Sequence, residues 1–178
     1  RTGRSRPDSA ARSLDACRIR GTKLSYLPLI GLTLGDPTGV GPEVAAKALT
    51  HRELYEKCRP LAIGSSSALR RIIDICGLDQ QVRNVASVEE AKFEFGVIDV
   101  LDPWGIDHSD LIFKDPTAEG GAAAATAVIE AVKLAYAGKI DGLATAPLHK
   151  VAMKMAGFEY PGHTEIVGEF SESPDPRM

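Results

Sequence analysis

Three short polar clusters in this chain of 178 residues carry the residue types that chemistry on a small anion needs. The first is Gly35-Asp36-Pro37-Thr38-Gly39-Val40-Gly41-Pro42-Glu43. Its glycines allow positive φ or close backbone approach, and a helix starting behind them would offer unpaired N–H groups to an anion. No Gly-Lys-Ser/Thr closes the loop, so it is not a Walker A motif. Val44 stands where a dinucleotide fingerprint has its third glycine. A tight strand-to-helix turn needed only for folding explains the cluster equally well, and Asp36 and Glu43 read as loop architecture. The second cluster, Thr145-Ala146-Pro147-Leu148-His149-Lys150, lies at the carboxyl end of a predicted strand, where open α/β sheets bind ligands. A His-Lys pair there suits a phosphate or carboxylate. The plain alternatives are a solvated first-turn Lys150 and a capping or partly buried His149. The third, Pro161-Gly162-His163-Thr164-Glu165, sets an imidazole, a hydroxyl and a carboxylate at the start of a helix. It is not H-E-x-x-H, which argues against a self-contained zinc site, and the chain has no G-x-S-x-G nucleophile elbow. His51 and His108 stand alone and read as structural.

The elements around these clusters alternate. An apolar run from Leu27 to Leu34 predicts a buried strand, and Pro42 and Glu43 open a helix to His51, with Val44, Ala45, Ala48 and Leu49 on its packed face. Strands follow at Pro60–Ile63, Gln81–Val85 and Gly96–Leu101, with a helix from Ser66 to Ile75 closed by Gly77. Residues 101–117 read as a long surface connection. Ala118 to Ala137 is the strongest helical pattern, ended by Gly138. Gly142–Thr145 reads as a buried strand, Leu148–Ala156 as a helix, and an apolar-periodic segment runs from His163 to Ser171. Such alternation predicts an α/β fold of three layers, a parallel or mixed sheet with helices on both faces.

Composition narrows the function classes. Apolar residues make up 44% and charged residues 25%, which excludes wholesale disorder and coiled coil, and no apolar run is long enough to span a membrane. The net charge of −3 is uneven: residues 1–23 hold seven basic and two acidic side chains, so the remainder carries eight more negative than positive charges. An acidic body argues against nucleic-acid binding. Residues 1–26 read as a disordered basic tail, too acidic for a typical transit peptide and without the apolar stretch of a secretory signal. Residues 27–172 read as the folded part and 173–178 as an irregular end. Cys17, Cys58 and Cys76 are odd in number and widely spaced, which predicts reduced thiols and a cytoplasmic location.

Order and spacing together say more than any one cluster. The run from Gly31 to Glu43, the Ala-rich helix, the run from Asp141 to Lys150, Ala156-Gly157 and Gly162-His163-Thr164-Glu165 closely resemble the 4-hydroxythreonine-4-phosphate dehydrogenase family. The resemblance covers about residues 28–172. It implies an isocitrate/isopropylmalate dehydrogenase-like fold, incomplete here, and an NAD-dependent oxidation of a secondary alcohol with decarboxylation of the β-keto acid formed. A divalent metal (Zn, Mg or Co) would act as Lewis acid, nicotinamide as hydride acceptor. The substrate class is a small phosphorylated hydroxy acid such as 4-phosphohydroxy-L-threonine, with threonate or erythronate 4-phosphate as the alternative and a non-catalytic anion-binding remnant as another. The likeness implies a homodimer in vitamin B6 biosynthesis, with no nucleic acid or membrane partner. It also implies that His163 and Thr164 bind substrate, with Lys150 a further candidate for its anionic group. The family's metal histidines, phosphate-binding basic residues and most nicotinamide contacts lie after the Gly-His-Thr-Glu motif. The expectation is therefore an amino-terminal part, inactive alone.

Overall fold

β1 (Leu29–Thr33) lies inside the sheet, paired with a neighbour on each side. The computed structural model describes residues 26–111, 113 and 115–171; the tail and irregular end expected at 1–26 and 173–178 lie outside them, apart from Tyr26. Chain order continues as α1 (Gly41–Ala48), α2 (Arg52–Tyr55), β2 (Arg59–Ile63), α3 (Ser66–Cys76), β3 (Gln81–Val85), β4 (Val97–Leu101), α4 (Ala118–Tyr136), β5 (Gly142–Thr145), α5 (Lys150–Met155) and α6 (His163–Phe170). The five strands form one parallel sheet in the order β3-β4-β2-β1-β5.

Side-chain alternation along the strands builds two cores. Leu32, Leu34, Ala62, Ile98 and Val100 point to one face and meet Ala45 and Ala46 of α1, Leu49 just after it, and Leu69, Ile72 and Ile73 of α3. Leu29, Leu61, Ile63 and Leu101 point to the other, against Ala127 and Ala131 of α4. The result is the expected three-layer α/β/α arrangement. A third cluster joins Ala125, Val128 and Val132 of α4 to Met153 of α5 and Ile166 of α6, so both short helices hang on the long one. α4 begins at Thr117, whose hydroxyl accepts the Gly120 N–H at 2.9 Å.

Two sequence expectations fail, each for a reason of packing. Val44 is exposed, and Ala46 is buried in its place beside Ala45 and Leu49. Successive helical residues rotate by about 100°, so Ala46 and Val44 lie on opposite sides of Ala45 and only one can face the sheet. β5, expected to be buried, is an edge strand: it pairs with β1 alone, and Ala144 and Thr145 are exposed. Within the 101–117 connection, His108 is buried; its Nδ1 lies 2.9 Å from Ser65 Oγ and its backbone N–H donates to Ser67 Oγ at 2.8 Å. Its reading as a structural residue agrees with that packing.

Candidate functional site

Chain order reverses around β1. The chain leaves β1 toward β2, β3 and β4 on one side, and returns through α4 to β5 on the other side of β1. The carboxyl ends of β1 and β5 are thus the topological switch point of the sheet, the place where open α/β sheets bind ligands.

The glycine loop after β1 spends its freedom on the protein itself. Gly35 has φ +70°, and a Cβ there would come within 2.4 Å of the Pro147 carbonyl oxygen. A Cβ on Gly41 would come within 2.2 Å of the Leu34 carbonyl oxygen. These glycines let the β1 and β5 loops touch, so the space a bound pyrophosphate would need is filled by backbone. Asp36 closes the turn: its Oδ1 accepts from the Thr38 N–H and hydroxyl, both at 2.8 Å. The buried carboxylate also abuts Gly120 in the first turn of α4, at the positive end of that helix. The architectural reading of Asp36 therefore holds for Oδ1, while its Oδ2 is buried without a partner.

Ala146 gathers the three clusters. Its N–H donates to the Thr33 carbonyl at 3.1 Å, its Cβ faces Gly41, and the His163 side chain hydrogen-bonds its backbone. The Nε2 of His163 is buried without a partner. Burial lowers the His163 pKa, outweighing the opposing pull of the Ala146 carbonyl, so the ring is neutral at pH 7. Thr164 follows in the first turn of α6, half-buried, and α6 has no side-chain cap on its N-terminal N–H groups. Ile166, fully buried against α4 and α5, holds this turn in place.

The second cluster divides. His149 caps α5, its Nδ1 accepting from the Ala152 N–H at 3.3 Å. Lys150 is the exposed first residue of α5 and pairs with no other described side chain. The geometry thus brings His163 to the joined loops and leaves Lys150 free in solvent beside them. Sequence reading missed Thr33, fully buried at the end of β1 with its Oγ1 unpartnered, and the free Oδ2 of Asp36. Position at a strand terminus was the one available signal for Thr33.

The fold is that of a doubly wound α/β unit with its switch point between β1 and β5. Residues 56–178 match the family described as pyridoxal phosphate biosynthetic protein PdxA, and the chain belongs to that family. It is 40% identical over 153 residues to a D-threonate 4-phosphate dehydrogenase of Cupriavidus necator, a match covering 86% of this chain and 46% of that protein. Among solved structures it resembles a 4-hydroxythreonine-4-phosphate dehydrogenase from Burkholderia phymatum, with a TM-score of 0.81 and 43% identity, covering 84% of this chain and 45% of that one. The enzyme of the same name from Klebsiella pneumoniae gives a TM-score of 0.76 and 32% identity, covering 83% and 44%. The chain therefore spans about 45% of the length of the relatives it matches.

Proposed function

We propose that the β1 and β5 loops and the start of α6 form part of the substrate site of an NAD-dependent, metal-assisted dehydrogenase acting on a phosphate ester of a four-carbon hydroxy acid. The family membership and the names of the relatives support that class; 4-phosphohydroxy-L-threonine and threonate or erythronate 4-phosphate are its members. The carrying observation is the His163 ring, set against the Ala146 backbone with its Nε2 buried without a partner. With its proton on Nδ1, toward the Ala146 carbonyl, a neutral imidazole accepts at Nε2, which suits a donor such as the substrate's hydroxyl or ammonium group and not the phosphate. The Thr164 hydroxyl and the Lys150 ammonium supply donors for the anionic end.

The described residues fit neither cofactor by themselves. The glycine loop is filled by its own backbone, and among the described residues no group of three or more His, Cys, Asp or Glu side chains is placed to hold a metal. Use of NAD and a divalent metal, a homodimeric assembly, a place in vitamin B6 biosynthesis and a cytoplasmic setting are proposed from family membership alone. No described helix is long and apolar enough to cross a membrane.

The test is a titration of the 178-residue chain with D-threonate 4-phosphate and with 4-phosphohydroxy-L-threonine, followed by amide chemical shifts. Saturable shifts at His163 and Thr164, with affinity at least about tenfold weaker in His163→Ala, are expected; tenfold corresponds to about 1.4 kcal/mol. Equal affinity in His163→Ala would remove the residue from the site.

A further inference from the structure

A second cavity, of about 720 Å³, opens over the carboxyl ends of β2, β3 and β4, between α3 and residues 102–109. Arg70 and Arg71, adjacent on α3, both line it. Arg70 is held by neutral acceptors, its Nη1 donating to Ser66 Oγ at 3.3 Å and its Nη2 to Asn84 Oδ1 at 2.7 Å. Arg71 Nη1 donates to the Leu111 carbonyl, and its guanidinium lies 4.2 Å from the centre of the Phe113 ring. Both cations are held in place, and among the described residues neither forms a direct ion pair.

The same wall carries carboxylates. Asp102 is engaged internally, accepting from the Ser66 N–H and hydroxyl, both at 3.0 Å, and from the Gly105 N–H at 2.9 Å. Because Asp102 takes the Ser66 N–H, the helix terminus offers little to an anion, and the arginines supply the attraction. Asp74 and Asp107 also line the cavity; Asp107 uses Oδ1 on the Ser109 N–H at 2.9 Å. They repel a bare oxyanion and attract hydroxyl donors.

We propose that this cavity binds a phosphate monoester of a polyhydroxylated carbon skeleton, the phosphate on Arg70 and Arg71 and the hydroxyls on Asp74 and Asp107. The site is independent of the β1/β5 reading. Its volume accommodates ligands from a sugar phosphate to a mononucleotide.

Trp104, the single tryptophan, precedes Gly105 in the cavity wall and reports on it. The experiment titrates the 178-residue chain with ribose 5-phosphate, AMP and inorganic phosphate at constant ionic strength, reading Trp104 emission and amide chemical shifts together. Ribose 5-phosphate is expected to bind at least tenfold more tightly than inorganic phosphate, and Arg70→Gln to weaken it at least tenfold. Tighter binding of AMP assigns a nucleotide; equal or weaker binding assigns a sugar phosphate. Asn84→Ala, which frees the Arg70 guanidinium from an exposed position, is the second variant, with a smaller loss expected. The assignment is overturned if neither ester shifts either signal saturably, if inorganic phosphate binds as tightly as the esters, or if both variants bind like the unmodified chain.

Discussion

Replacing Gly35 by alanine tests whether the glycine loop serves the protein's own packing. Two costs add at this position. Its φ of +70° places an alanine Cβ in the left-handed region, a penalty of about 1–2 kcal/mol. That Cβ also lies 2.4 Å from the Pro147 carbonyl oxygen, a backbone atom that moves only if the β1 and β5 loops part, and such overpacking costs about 1–3 kcal/mol. The expected loss is about 2–5 kcal/mol out of a total of about 5–15. For a chain of this size it lowers the melting temperature by roughly 5–20 °C. Gly39→Ala is the internal control: its φ is not positive, and its Cβ would meet nothing nearer than the Asp36 carbonyl oxygen at 3.4 Å. That change should leave stability within about 1 kcal/mol. Urea unfolding of both variants decides the matter. Equal midpoints for Gly35→Ala and Gly39→Ala would refute the packing argument and return the loop to the role of a ligand cradle.

Other outcomes follow from the same geometry. Burial holds the His163 pKa below its ordinary 6.5, so as the pH falls below that value the unfolded chain takes up the proton first. Stability is lost there until the folded ring protonates as well. An NMR titration should place the ring below 6.5, and His163→Gln should flatten the fall of the urea midpoint with acid; a measured pKa above 6.5 would remove the buried neutral ring. Lys150→Met should reduce affinity for the phosphorylated acid less than His163→Ala does, because Lys150 is exposed and screened; the same titration compares them. The 178-residue chain alone should give no NADH absorbance with either phosphorylated acid and divalent metal, and metal-dependent turnover would show that these residues suffice.

Local patterns proved most legible where chemistry leaves few choices. Gln81–Val85 and Gly142–Thr145 have the bounds the sequence predicts. The α3 pattern ends at Gly77, which adopts φ +61° as a left-handed cap must. His163-Thr164-Glu165 does open a helix. Alternation of short apolar runs with helical patterns was enough for a three-layer parallel α/β unit. Exposure was less legible. The apolar run of β5 looks like that of a central strand, because its composition does not say how many neighbours it has. Val44 and Ala46 exchange roles because α1 carries small apolar residues on more than one side, and only the position of α3 and the sheet selects among them.

The site shows the same division. Residue types and spacing determined on their own that three polar clusters would fall at loop and helix starts, because glycine, proline and capping preferences act over a few residues. Only the tertiary structure decided that Gly35 and Gly41 press against the β5 loop, that Ala146 receives the His163 N–H, and that Lys150 stays in solvent. The glycine contacts join residues more than a hundred positions apart. Their existence depends on β5 pairing with β1 across the chain reversal, a matter of sheet order that no local preference encodes.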